Sequence, residues 1–361
     1  MEINTRVNND VSLAEAIELI ATIGADITVM LEGHMGNGKT SATEKELAER
    51  FPDHVMCHFD CTTKDIGDLL IPKILEAGGS NYVTFATNEE LGAHLDKPVI
   101  VNLDEFGKSQ AGVKKALTRL ILERKIGNHA LHPDSIVYAT TNLSEEGVGD
   151  FLEGHQLDRI CKVRIRKSTH VEWIDWGITN NINPAVLGFV REFPQVLQSF
   201  EEVADPADNA YIYHPQAERE AFVTPRSLEM ASKVLNTKDS LSKATLRAAL
   251  VGTIGEMAAR DMIAFIEMAD QLPSLESIKN SPETATVPTS TAAVCMVVYR
   301  ALAVMERSWV DAWVTYMNRL NPEAQALFAN GVKAPNYHLR DIITTNKKFT
   351  DWCLENHYLY S

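Results

Sequence analysis

The chain has 361 residues, 45% of them hydrophobic and 23% charged, which exceeds one usual domain and predicts two or three compact units with ample core-forming material. Its 34 basic and 49 acidic side chains leave a net charge of −15, which argues against a broad, sequence-independent grip on nucleic acid and favours a protein client. Five cysteines without a Cys-x-x-Cys pair suit a reducing cytoplasm, Met1 to Thr5 lacks the positive start of a secretory signal, and the longest apolar run, Ala292 to Met305, is about 14 residues where a membrane span needs roughly 20.

Along the first half, apolar runs alternate with patterns of helical period, as in a parallel sheet covered on both faces. Asp10 is placed to cap a first helix, whose Leu13, Ala16, Ile17 and Ile20 recur at the spacing of one face. Strands are expected at Ile27 to Leu31, Val55 to Asp60, Val99 to Asp104, Ile136 to Thr141 and Cys161 to Ile165, with a helix over Ser41 to Arg50. From about Ser168 the β-branched runs fade and helical periods take over, as at Pro225 to Leu235 and Leu246 to Ala269. Leu272 to Thr291 is rich in Ser, Thr and Pro and reads as an extended linker. A long helix over Ala292 to Arg319 then opens a tail, with Ala292, Cys295, Met296, Tyr299, Leu302 and Ala303 on one apolar face. The expected units are 1–167, α/β; 168–272, all-α; 273–290, linker; and 291–361, a helical extension.

Gly33, His34, Met35, Gly36, Asn37, Gly38, Lys39 and Thr40 fit the phosphate-loop pattern G-x-x-x-x-G-K-[ST] without a mismatch, between an expected strand and an expected helix. Such a loop turns its backbone N–H groups onto the phosphates of a nucleoside triphosphate, with Lys39 bridging the β- and γ-phosphates and Thr40 holding Mg²⁺. Further on, Val99-Ile100-Val101-Asn102-Leu103 is a strand ending in Asp104 and Glu105. The Asp104 carboxylate can orient water on Mg²⁺, and Glu105 can polarise a water attacking the γ-phosphate. An acidic turn is the ordinary reading of a lone Asp-Glu, but both motifs meet where parallel strands end.

Ala139-Thr140-Thr141-Asn142 closes the next strand, and the Asn142 amide can hold the attacking water without adding charge. Arg159 stands just before the last strand, far along the chain from the loop; a surface pair with Asp158 is the plain alternative to a role on a neighbouring copy's phosphates. Thr224 and Pro225 start a helix that carries Arg226 near its N-terminus. His54, Cys57, His58 and Cys61 crowd together, yet strand alternation sends the histidines and cysteines to opposite faces, against a metal site.

Taken in order, Gly33 to Thr40, Leu103-Asp104-Glu105, Ala139 to Asn142, Leu157-Asp158-Arg159 and Thr224-Pro225-Arg226 resemble the AAA+ ATPases, most closely the MoxR-like branch with CbbQ and GvpN. Thr62 to Leu69 is similar to that branch's Thr-x-x-Asp-Leu stretch, and Glu123 to Pro133 to its hairpin before the sensor strand. The resemblance, over roughly residues 11 to 270, implies a P-loop core with a five-stranded parallel sheet, an all-α lid and a helical C-terminal tail. It implies ATP and Mg²⁺ as ligands, with Lys39 and Thr40 as Walker A, Asp104 and Glu105 as Walker B, Asn142 as sensor 1, Arg159 as an arginine finger in trans and Arg226 as sensor 2. It further implies a homo-oligomeric ring, usually hexameric, that hydrolyses ATP to remodel a protein client, with a von Willebrand factor A protein as adaptor. The alternative on the same fold is a motor on nucleic acid, for which Asp60 to Lys97 offers Lys64, Lys73 and Lys97 against seven acidic residues. This loop reads Gly-His-Met-Gly where many relatives have Gly-Pro-Pro-Gly, and Asn102 interrupts an otherwise apolar strand.

Overall fold

The computed structural model describes residues 10–146, 158–269 and 272–357. The chain divides between Lys167 and Ser168 into two compact units. Among the described residues the first unit carries strands β1 (Val29–Gly33), β2 (Val55–Asp60), β3 (Leu70–Ala77), β4 (Ser80–Thr87), β5 (Val99–Asp104), β6 (Lys125–Ile126), β7 (His129–Ala130), β8 (Ile136–Asn142) and β9 (Cys161–Ile165). Its helices include α1 (Leu13–Ile23), α2 (Ser41–Arg50), α3 (Ile66–Leu69) and α4 (Ala111–Glu123).

Five strands form one parallel sheet in the order β2-β5-β8-β1-β9. Strands with both faces covered need apolar side chains on both, and β5 shows how this is met. Its Val101 and Leu103 join Phe59, Val113 and Leu117 on one face, while Ile100 joins Ile17, Ile20 and Leu47 on the other. Because all strands run the same way, their C-terminal ends share an edge: Gly33 pairs with Asn142, and Asp60 with Asp104. The residues after those ends are thereby gathered.

Two expected boundaries move. The first strand begins at Val29, since Ile27 is exposed in the preceding turn. The first helix is capped by Ser12 and not Asp10, because Ser12 and Glu15 satisfy each other's backbone N–H in a capping box. In β2 the faces alternate as expected: Cys57 and Cys61 are buried, whereas His58 meets Glu44 and His54 meets the Asp134 carbonyl. Asn102 also gains a physical account. It is fully buried, and its Nδ2 donates to Glu44 Oε1 at 2.9 Å, tying β5 to α2. Between β2 and β5, β3 and β4 pair as an antiparallel hairpin that turns at Gly78 and Gly79, both with positive φ. The stretch before β8 holds the short hairpin β6–β7.

The second unit is helical, around one continuous apolar core. Three expectations are corrected here. Leu246 to Ala269 is two helices, Lys243–Ile254 and Glu256–Ala269, separated by Gly255 at φ 85°. A Cβ on Gly255 would lie 2.5 Å from the Ala221 carbonyl oxygen, so Gly255→Ala should destabilise the fold by about 1–3 kcal/mol, seen as a lower urea midpoint. The segment read as an extended linker holds a helix, Leu275–Asn280, with Ile278 and Ala285 buried. Its serines serve as caps: Ser274 starts that helix and Ser290 the next. Carbonyls in between are held by Arg319, which donates to Pro282 and Ala285, and by the Tyr316 hydroxyl, which donates to Thr286.

Ala292 to Arg319 is likewise not one helix. It breaks into Thr291–Ala303 and Val310–Met317, joined through a short 3₁₀ turn at Arg307–Trp309. The first piece is buried on nearly every side, from Ala292 to Leu302, rather than along one stripe, and Ala303 is exposed. A helix that is apolar all round belongs inside a core, and here it is part of the same core as the preceding helices.

Candidate functional site

The loop leaves β1 at Gly33 and enters α2 at Ser41, with Gly36 at φ 68° and Gly38 at φ 81°, a backbone that residues with a Cβ adopt reluctantly. Lys39 is buried, and its ammonium donates to the Gly33 carbonyl (2.7 Å), the His34 carbonyl (2.8 Å) and Asn142 Oδ1 (2.7 Å). Three donors thus meet three acceptors. Burial nevertheless pushes the Lys39 pKa down to about 8, against the opposing pull of Glu146, Glu105 and Asp104.

Thr40 occupies the cap position of α2 yet makes no cap bond, because its hydroxyl donates to Asp104 Oδ1 at 2.7 Å. The same carboxylate oxygen accepts from Thr140. Glu105 adopts a left-handed backbone, φ 51° and ψ 35°, unusual for a residue with a side chain. Its N–H donates to Thr140 Oγ1 (3.2 Å), which helps hold that turn. Its Oε1 accepts from Asn142 Nδ2 at 2.8 Å, and Oε2 stands 3.2 Å from Lys108 Nζ as an ion pair. Asn142 therefore links Lys39 and Glu105, its oxygen accepting from one while its nitrogen donates to the other. An amide does both without adding charge.

Lys39, Thr40, Asp104, Glu105 and Asn142 thus converge at one sheet edge. A hydroxyl and a carboxylate facing each other are oxygen donors of the kind Mg²⁺ takes, and the glycine-bearing loop ahead of α2 suits phosphate, so these residues fit a magnesium–triphosphate pair. Arg159 does not join them. It precedes β9, whose Cys161 pairs with Val29 and whose Ile165 pairs with Gly33, so it lies beyond the far end of a strand about 13 Å long. There it lines a small cleft with Phe106, Thr118, Ile121 and Ile160. Arg226 is exposed near the start of the second unit's helix Pro225–Asn236, capped by Thr224 as expected. Leu157 lies outside the described residues.

Three participants carried no signal of their own in the sequence: Thr140, Lys108 and Glu146. The last accepts from the Met35 N–H and contacts His34. Only the register Leu103↔Ala139, which brings Thr140 beside Asp104, hints at the first.

The strand order, the loop between β1 and α2 and the acidic end of β5 define a P-loop α/β core, followed by a helical region. No protein-family model matches the chain, and no curated protein matches it. Solved structures similar to it include a candidate ATPase from Cytophaga hutchinsonii, with 14% identity, 70% of this chain and 88% of that one covered, and a TM-score of 0.34. A closed-state reconstruction of Hsp104 with ATPγS and casein covers 72% of this chain and 46% of its own at 16% identity and a TM-score of 0.38. A RuvB mutant from Thermotoga maritima follows at 12% identity, 70% and 67% coverage and a TM-score of 0.33. Such distant likenesses say nothing about activity.

An anion bound beside Lys39 opposes the effect of burial and returns the ammonium toward its ordinary pKa. Below about pH 8 the group is already charged; above it, binding should take up a proton and affinity should fall as pH rises. Calorimetry of ATP binding above that pH, in two buffers of different ionisation heat, should report this uptake; identical heats would contradict it.

Proposed function

We propose that this chain is a magnesium-dependent ATPase that works as a ring, usually of six copies, and uses hydrolysis to remodel or activate a protein client. The observation that carries the reading is the convergence of Lys39, Thr40 with Asp104, and Asn142 with Glu105 at the C-terminal edge of one parallel sheet. In this reading the loop N–H groups and Lys39 hold the triphosphate, and Thr40 and Asp104 hold Mg²⁺, which when bound neutralises charge on the phosphates. Glu105, held by Asn142, takes the proton of the attacking water.

The distance between Arg159 and its own loop supports a ring: an arginine placed beyond the opposite strand ends serves the nucleotide of an adjacent copy. The sensor 2 role that the resemblance implies for Arg226 belongs to the same proposal. A protein client suits the hairpin β3–β4, where Ile71, Ile74, Leu75, Tyr82, Val83 and Phe85 are exposed and Lys73 is the sole basic residue. That surface offers little to a phosphate backbone, which disfavours the nucleic-acid motor. A von Willebrand factor A adaptor and a cytoplasmic setting belong to the same proposal; among the described residues no helix is long and apolar enough to cross a membrane.

Titrating a fluorescent ATP analogue into wild-type protein and Lys39→Ala tests the core of the reading. Binding should be lost in the variant, and a Kd shared by both would remove the loop from nucleotide recognition.

A further inference from the structure

Beyond its charge near Lys39, Glu146 takes no part in the chemistry above, yet only 2% of its side chain is exposed. Its Oε2 accepts from the Met35 backbone N–H at 2.5 Å, and its Oε1 lies 2.7 Å from His34 Nδ1. A carboxylate is costly to bury unless its oxygens are met, and here each oxygen is engaged by the front half of the phosphate loop. The rear half is tied elsewhere, through Asn37 Nδ2 to the Arg166 carbonyl at 3.1 Å. Between these anchors stands Gly36, the least restrained residue type.

Residue chemistry explains why the front half needs an anchor. A proline at position 34 or 35 would fix its own φ and present no N–H. Histidine and methionine leave the backbone free to rotate, and they add an N–H that must find an acceptor when buried. Glu146 supplies that acceptor and captures the histidine ring at the same time.

We infer that Glu146 is a positioning residue for the triphosphate: through Met35 and His34 it holds the front of the loop in the shape that phosphate binding requires, a restraint that a proline-containing loop carries in its own rings. This rests on the nucleotide-binding reading above. The opposing possibility is that the carboxylate stands in the anion's place and must leave when a phosphate arrives. The two predict opposite signs.

ATP turnover and binding of a fluorescent ATP analogue, measured on the full chain, separate them, with amide hydrogen exchange over residues 34–36 as the structural readout. Glu146→Ala should raise Kd and KM roughly tenfold, the worth of one charge-assisted hydrogen bond, while kcat stays near wild type and exchange over 34–36 quickens. Glu146→Gln, whose amide oxygen still accepts from the Met35 N–H, should recover most of the affinity; it also serves if the alanine variant folds poorly. His34→Ala should show a smaller rise in the same direction. Unchanged Kd in Glu146→Ala, or tighter binding, overturns the inference. If the wild-type protein itself binds no ATP, the functional reading has failed; if it binds and Glu146→Ala binds equally, only the positioning role has.

Discussion

Glu105→Gln should bind ATP about as tightly as the wild type and turn it over about 10²- to 10⁴-fold more slowly, the usual contribution of a positioned general base. The structure explains the split. Glutamine keeps an oxygen to accept from Asn142 Nδ2, so the bridge through Asn142 to Lys39 survives and the loop is undisturbed. What is lost is basicity at the one carboxylate held beyond Asp104 by a left-handed backbone. Phosphate release under single-turnover conditions, set beside equilibrium titration, reads both quantities. Equal loss of binding and turnover would take Glu105 out of the chemical step. The same variant, with ATP trapped, is the bait for the protein client proposed above.

The second large effect is expected at Arg159. Arg159→Ala should still bind nucleotide but hydrolyse it about 10³- to 10⁵-fold more slowly if its guanidinium stabilises charge on the transferring phosphoryl group. Because Arg159 lies beyond the strand ends opposite its own loop, the missing function should be replaceable by a neighbour. Mixing Arg159→Ala with Lys39→Ala subunits, each inactive alone, should restore part of the turnover, since one keeps an intact loop and the other an intact arginine. A mixture as inactive as its parts would place the arginine in cis or give it a purely structural role, lining its cleft with Phe106 and Thr118.

Much of the α/β unit is legible in the sequence because its signals are local. Val55 to Asp60, Val99 to Asp104 and Cys161 to Ile165 are runs compatible with burial in a parallel sheet and closed by turn residues, and the structure gives those strands the same bounds. Where two local signals competed, the outcome depended on context. Ser12 and Asp10 are both capping residues, and the partner Glu15 decided for Ser12. In the helical unit the signals failed for a different reason. A segment apolar on every side shows no stripe whose end could mark a break, so the interruption after Ala303 left no trace in periodicity. The Ser- and Pro-rich stretch reads as open chain because the same residues that favour open chain also cap helices, and here Ser274 and Ser290 do the latter.

The sequence by itself determined the phosphate loop, the acidic strand end and the parallel sheet that brings them to one edge, because fixed spacing and β-branched runs constrain the backbone locally. Tertiary structure alone decided how the side chains complete one another. Asn142 joins Lys39 to Glu105, Thr140 shares the Asp104 oxygen with Thr40, Asn102 reaches Glu44, and Glu146 meets His34. Each of these contacts spans dozens of residues or more along the chain, and hydrogen bonds depend on ångström-level placement that no pattern of residue types encodes.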